Sequence, residues 1–481
     1  MEEERKSTKV LQLLALAVPL ILGVCGFLQA GEGVLQALFL SISLYTLEYQ
    51  DLPANFLVEL ARWTAPLATA SGVFLAFSTV RRRLHNLLRY RRGNSVAVYG
   101  PDARRAPLLA ELGRRGIDGG EDLAGRFVRA QRYILLGEEQ ENFSFYTGHA
   151  PRLTGSEVWL QCSSLPAQST APAGLHLFCP EETAARLYWK EQSLYPLWRA
   201  RGPKLRVAFV GFGRLGEELL SAGLQNNVFS PEQCIEYHIF GEDNGFAAVH
   251  TELGEIGDPV LFRPEPWQQS LPLLEQADLV LVLEQENQPA LVGALLLALR
   301  NQTRQLVVFA ADPALLGLLD GQQRLSLFDW RRKAQGLDAI LGDELLLRAK
   351  RINLRYAYLY KEVTEENDKN MEERWQALDA FTRYSNISAA DYHDVRLAML
   401  AERGETPNAL SARSLEELAV LEHIRWCRYH WLNNWRYGRP ANGKAKDAVN
   451  RIHADLVPYE QLPEDEKDKD RSNIRLLCEL G

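Results

Sequence analysis

The run Leu205–Gly216, LRVAFVGFGRLG, holds the residues whose spacing best suits chemistry with a phosphate. The β-forming stretch Val207, Ala208, Phe209 and Val210 leads into Gly211-x-Gly213-x-x-Gly216, and an amphipathic helical pattern continues to about Leu224. In a strand–turn–helix of this kind Gly211 allows the tight turn, Gly213 lets a pyrophosphate approach the backbone, and Gly216 lets helix and strand pack closely. The helix N-terminus then offers free N–H groups to an anion. A ribose-binding acid belongs near the end of the next strand, where the chain reads Phe240-Gly241-Glu242-Asp243. That position is either the glycine or shifted by one, to Glu242. NAD or another nucleotide is the cofactor expected there. The alternative is a structural unit of the same shape that only relays force.

A second constellation lies near the C-terminus. Trp426, Trp435 and Tyr437 could form a shallow aromatic pocket edged by Arg425, Arg439, His453 and Arg471. Aromatic faces stack a base and guanidinium forks hold phosphates, so a small nucleotide-like ligand is expected. The same aromatic residues equally suit a core. Glu422 and His423 are adjacent, so on a helix they diverge by about 100°. His423 therefore reads as a satisfied structural histidine. Neither an acid/base dyad beside a nucleophile nor metal-ligand spacing occurs, so no catalytic residue and no metal are assigned and the chain is not read as an enzyme. An NAD-dependent oxidoreductase is disfavoured, because no substrate domain or placed general acid follows the glycine motif.

The third constellation is N-terminal. Val10–Ala30 is uncharged and long enough to cross a hydrocarbon core of ~30 Å. Leu57–Val80 is a second apolar run, followed by the arginine-rich segment RRRLHNLLRYRR at 81–92. The acids Glu32, Glu48 and Asp51 lie between the spans. The positive-inside rule places both termini in the cytoplasm. Val34–Thr46 is apolar but too short to span, which suits a re-entrant pore helix. The residues that follow it, Thr46-Leu47-Glu48-Tyr49-Gln50-Asp51, resemble the Thr-Val-Gly-Tyr-Gly-Asp filter of potassium channels at Thr46, Tyr49 and Asp51. Glu48 and Gln50 replace both glycines, and a carbonyl filter needs those glycines for its left-handed geometry. A ring of Glu48 carboxylates would instead favour cations loosely. A plain membrane hairpin is the alternative.

The elements that must position these residues divide the chain into five parts: a two-span membrane region with a re-entrant segment (1–92), a degenerate Rossmann-like domain (93–200), a Rossmann domain (201–350), a helical connector (351–410) and a small, mainly helical module (411–481). The fold class is an α-helical membrane region plus α/β with parallel sheets. In 93–200, strands are expected at Ser95–Tyr99, Tyr133–Leu136, Val158–Cys162 and Leu175–Phe178. The first turn, Gly100-Pro101-Asp102, lacks the glycine motif, so this unit is not expected to bind a dinucleotide. In 201–350, Ile235–Phe240, Pro259–Phe262, Asp278–Leu283 and Gln305–Ala310 complete the alternation.

Two spans, a basic linker and tandem Rossmann units together resemble potassium-channel-type proteins with TrkA-N-like (regulator of potassium conductance) domains, over roughly residues 10–350. LEELAVLEHIRWCRYHWLNNWRYG followed by LVPYEQLPEDEKDKDR resembles the ryanodine-receptor repeat domain in its bacterial form. The match includes Glu422, His423, Arg425, Trp426, Trp435, Tyr437, Pro458, Asp470 and Arg471. Ala454 stands where the family often has proline.

Composition agrees with these expectations. A net charge of −8 excludes a basic nucleic-acid binder, and six scattered cysteines without CxxC spacing read as reduced thiols. The expectation is a homo-oligomer, taken as a tetramer, in the plasma (inner) membrane with membrane lipid around it. It would be a ligand-gated, cation channel-like effector whose cytosolic domains sense a nucleotide-like ligand. Family context points to a prokaryotic defence role. The alternative is a non-conducting, membrane-anchored nucleotide-binding or interaction scaffold.

Overall fold

The computed structural model describes residues 17–46, 52–125, 127–169, 171–243, 245–299, 305–310, 314, 325–359, 361–441 and 443–479. Two compact units emerge, Met1–Ser95 and Val96–Gly481.

In the first unit residues 17–29 are helical, followed by helix α1 (Val34–Ser43), a 3-10 turn (Leu44–Thr46) and helix α2 (Phe56–Arg91). Asn55 starts α2 by accepting the Leu57 N–H at 2.8 Å and donates to the Gly26 carbonyl at 3.2 Å. Two glycines let the helices touch. A Cβ on Gly23 would lie 2.8 Å from Ser41 Oγ, and one on Gly26 would lie 2.9 Å from the Val58 backbone nitrogen. Phe27, Ala37, Leu44, Val58, Ala61 and Ala65 form the core, whereas Leu35, Phe39, Phe56, Trp63 and Leu67 are exposed.

Among the described residues no helix is long and apolar enough to cross a membrane. The two-span expectation thus gains no support from the helices. Part of the first span, residues 10–16, lies outside the described residues. The second, Leu57–Val80, is absorbed into the 36-residue α2, whose first turns carry Glu59 and Arg62 and whose end is arginine-rich. The short helix expected after the first span is present as the ten-residue α1. Thr46 closes the 3-10 turn, its hydroxyl donating to the Ser43 carbonyl at 3.0 Å. Glu48, Tyr49 and Asp51 lie outside the described residues.

The second unit contains two parallel sheets. The first comprises β1 (Val96–Tyr99), β2 (Gly116–Gly120), β3 (Arg132–Leu135), β4 (Glu157–Gln161) and β5 (Leu175–Phe178), ordered 2-1-3-4-5. The expected parallel α/β character holds, but this is the flavodoxin-like winding rather than the Rossmann order. The second sheet comprises β6 (Lys204–Val210), β7 (Cys234–Phe240), β8 (Val260–Arg263), β9 (Leu279–Val282), β10 (Gln305–Phe309) and β11 (Leu325–Phe328). Its order, β8-β7-β6-β9-β10-β11, is the 3-2-1-4-5-6 order of dinucleotide-binding folds. Burial on both faces explains why β9 and residues 207–210 of β6 read as unbroken apolar runs.

Helix α3 (Pro180–Glu191) ends the first α/β part and packs on α4 (Gly213–Asn226) of the second. The Trp189 indole N–H donates to the Leu219 carbonyl at 2.8 Å. The connector is helical as expected, with α5 (Asp343–Leu359), α6 (Asp368–Ala377), α7 (Ala380–Asp391) and α8 (His393–Glu402). Asn367 and Asp379 cap α6 and α7. The C-terminal module is α9 (Ala412–Leu432), a small sheet of β12 (Arg436–Tyr437), β13 (Lys446–Asp447) and β14 (Ile452–His453), and α10 (Glu464–Glu479). One apolar core runs through all of these parts. It joins Trp189 of α3, Phe209 of β6, Leu220 of α4, Tyr392 and Val395 of the connector, Leu418 of α9 and Ile474 of α10.

Candidate functional site

Helix α9 carries the module's chemistry because one side of it faces the connector and another faces β14 and α10. Between these walls lies a cavity of about 670 Å³. Arg425, Trp426 and His453 line it, as do Lys444, Lys446 and Lys469 and, from the connector, Tyr356 and Asn386. The half-buried Trp426 indole stacks on His423, with ring centroids 5.7 Å apart and planes 19° apart, and meets His453 edge-on at 4.9 Å. Lys446 sits opposite His453 in the β13–β14 register and makes no ion pair among the described residues. Other wall charges are matched: Arg374 with Glu362, and Lys469 with Glu466. The cavity therefore has Trp426, flanked by His423 and by His430 at 4.0 Å, on a wall that also carries lysines.

Arg425 is fixed from beneath. Its guanidinium is almost fully buried and binds Glu422 through Nε at 3.0 Å and Nη2 at 2.7 Å. Nη1 donates to Ser388 Oγ on α7 at 2.8 Å. Glu422 also accepts from Arg396 of α8 at 3.0 Å. Burial would raise the Glu422 carboxyl, but the two guanidinium groups outweigh it and hold it low. This is a buried ion triad that ties module to connector.

Three histidines surround Trp426 in different states. His423 has an acceptor on each ring nitrogen, Asp470 Oδ2 at 3.4 Å and the Val457 carbonyl at 2.8 Å. Burial lowers its pKa, but Asp470 and the Cys427 contact outweigh burial and push it up to about 10. Burial also raises the Asp470 carboxyl despite this contact. Acceptors on both nitrogens make His423 the cation of the pair. It is the satisfied structural histidine expected from sequence. Burial drives His430 down to about 3, and burial with Lys446 drives His453 down to about 4, so both are neutral.

The remaining residues of the expected pocket separate. Trp435 is buried beneath the cavity, stacked on Phe381 at 5.2 Å. Tyr437 and Arg439 are exposed and do not line the cavity. Arg471 ties α10 to α9 through Glu416 at 2.6 Å and binds Glu464 and Asp468 on its own helix. The i,i+3 spacing of Glu422 with Arg425 and of Asp468 with Arg471 is the sequence signal for these internal pairs. The lysines were missed by sequence reasoning. Lys444 and Lys446 sit in a short Gly-Lys-Ala-Lys run that only becomes a cavity wall once β13 pairs with β14.

In the glycine loop Gly211 and Gly213 take positive φ, and Gly216 is crowded by Phe212 of the loop and not by a strand. Gly211 has φ +86°, and a Cβ there would lie 2.5 Å from the Glu284 backbone nitrogen. Gly213 has φ +55° with open space where its Cβ would be. At Gly216 a Cβ would strike the Phe212 ring at 2.5 Å. No side chain caps the N-terminus of α4. Beside the loop, a cavity of about 550 Å³ at the ends of β7 and β8 is lined by Glu242, Asp243, Arg263 and Trp267. Glu242 and Asp243 thus lie on a cavity whose lining includes none of residues 211–216. Arg214, the cation inside the loop, is engaged by Glu217 at 3.1 Å and Glu218 at 2.6 Å. Positive potential for a pyrophosphate thus comes mainly from the helix N-terminus.

Among the described residues no cluster of three or more histidine, cysteine, aspartate or glutamate side chains could hold a metal. No curated protein matches the chain. Residues 408–479, which comprise α9, the small sheet and α10, match the family model of the RyR domain.

Proposed function

We propose that the chain is a ligand-gated, oligomeric membrane effector, cation channel-like, whose RyR module and connector bind a small nucleotide-like anion. The cavity of about 670 Å³ carries this reading, because Trp426 offers a stacking face beside Lys444, Lys446 and Lys469. Its size falls within the ~300–1,000 Å³ of small-molecule sites. The glycine loop with Glu242 is a second nucleotide site, for NAD or a related adenine nucleotide. Ligand binding favours one packing of the connector over another, and only such differential binding can shift a membrane equilibrium. The effector would assemble as a homo-tetramer in the inner membrane, with both termini inside.

Binding is tested on the purified full chain with AMP, ADP-ribose, NADH and a cyclic dinucleotide. Trp426→Ala and Lys446→Gln should each weaken the best ligand about tenfold or more, since a charge-assisted contact contributes ~1.5–3 kcal/mol. Failure of all four to bind removes the sensor. Cation flux into liposomes, with and without that ligand, tests the effector. A second reading is a non-conducting anchored scaffold. Ligand binding without flux would select it.

A further inference from the structure

Between the glycine loop and the module cavity lies a series of polar side chains, partly exposed at Arg214 and buried towards the connector. It begins inside the glycine loop, where Arg214 Nη2 binds Glu218 Oε1 at 2.6 Å. Glu218 and Glu182 of α3 both line an open cleft of about 260 Å³ between the α/β parts and the connector. Burial, and next Glu182, raise the Glu218 carboxyl, up to about 8. Glu182 Oε2 accepts from the Tyr384 hydroxyl of α7 at 2.8 Å. One turn along α7, Ser388 receives Arg425, whose partner Glu422 lines the module cavity. Asn226, buried beside the cleft, has an Oδ1 without a hydrogen-bond partner, so the cleft is polar.

We propose that helix α7 transmits anion occupancy of the glycine loop to the module cavity, through Arg214, the Glu218–Glu182 pair, Tyr384 and Ser388. This rests on the reading of the glycine loop as a nucleotide site. A phosphate at the loop draws Arg214 towards itself and away from Glu218. Glu218, released from Arg214, shifts against Glu182 across the cleft that both line. That shift alters the hydrogen bond that Glu182 accepts from Tyr384, and Tyr384 sits on the same helix face as Ser388. The helix is thereby biased between two positions, and with it the hold on Arg425 at the cavity wall. By linkage, a ligand in the cavity biases the glycine loop equally.

Amide hydrogen exchange on the full chain tests this without any ligand. Glu218→Gln, compared with the parent chain at pH 9 where the Glu218 carboxyl is ionised, should change exchange at least fivefold in residues 380–391 and 444–455. Tyr384→Phe should do the same, and the double variant should add nothing further, because both act through one contact. Glu217→Gln, which loses an Arg214 partner with no bond shown to the connector, should affect only residues 213–226. Effects of Glu218→Gln confined to 213–226, or additive effects in the double variant, overturn the proposal. NADH titration of the same proteins reads the loop separately. If NADH fails to bind while the exchange pattern holds, the nucleotide reading of the loop falls and the mechanical link stands.

Discussion

Replacing Arg425 by methionine distinguishes a ligand-binding arginine from one that holds the fold. The side chain is only 2% exposed and makes three polar contacts, two to Glu422 and one to Ser388. Breaking a buried pair by removing one partner costs ~3–5 kcal/mol, because an uncompensated charge remains. Arg396 still reaches Glu422 at 3.0 Å, which places the cost at the lower end. About 3 kcal/mol corresponds to roughly a hundredfold rise in local opening. Amide exchange over residues 414–430 reads that opening directly, whereas a single melting temperature for so many packed parts would not be well defined. Adding Glu422→Gln removes the stranded carboxylate and should recover at least ~1 kcal/mol of the loss. The reasoning is refuted if Arg425→Met changes exchange by less than fivefold while nucleotide binding disappears. Arg425 would then serve the ligand and not the fold.

Other expectations are as direct. Glu218 is raised from its ordinary 4.5 to about 8, so between these values the folded chain holds a proton that the unfolded chain lacks. Stability should therefore fall as pH rises through this window, by at most ~1.4 kcal/mol per pH unit for one proton. Urea midpoints at pH 5, 6.5 and 8 should show a shallower slope in Glu218→Gln, and equal slopes would refute the assignment. Gly213→Ala, at φ +55° with open space around it, should cost only ~1–2 kcal/mol of stability yet lower NADH binding more than tenfold. Gly211→Ala should unfold the second α/β part, because its Cβ meets backbone at 2.5 Å; soluble, fully folded protein would contradict this. Trp435→Ala should open the module by ~3–5 kcal/mol through loss of a large buried ring, seen as rapid proteolysis within 412–440. A protease-resistant variant that has lost nucleotide affinity would place Trp435 in the site instead.

Strands in both α/β parts were legible wherever valine, leucine and phenylalanine run together, since parallel strands buried on both faces carry no polar alternation. β2 was not, because Gly-Ile-Asp-Gly-Gly has one apolar side chain and takes its place by pairing with β1. β11, Leu-Ser-Leu-Phe, was also missed; it lies at the sheet edge beside β10. The winding of the first sheet could not be read either, since strand order depends on which crossovers turn back and not on strand composition. In the module, residue types identified the helix that carries the site but not which way its side chains face. Arg425 and Trp426 are neighbours in sequence, yet one is locked to Glu422 and the other opens to the cavity. Arg471 looked like a phosphate ligand because its partner Glu416 is 55 residues away.

The apolar core that runs from α3 to α10 bears on how such a chain can be recombined. Leu418 and Leu421 of α9 belong to the same cluster as Trp189 and Phe209, so an excised RyR module would carry a bare greasy flank. Arg428, bonded to Asp258 at 2.7 Å, would lose a buried counter-ion as well. The unit that could be inherited or grafted intact is thus the module with its connector and the face of α4 it rests on. A chimera cut at residue 408 should aggregate, whereas one that exchanges everything after β5 keeps the buried partners of α9 named above, those on α3 included, in the same piece.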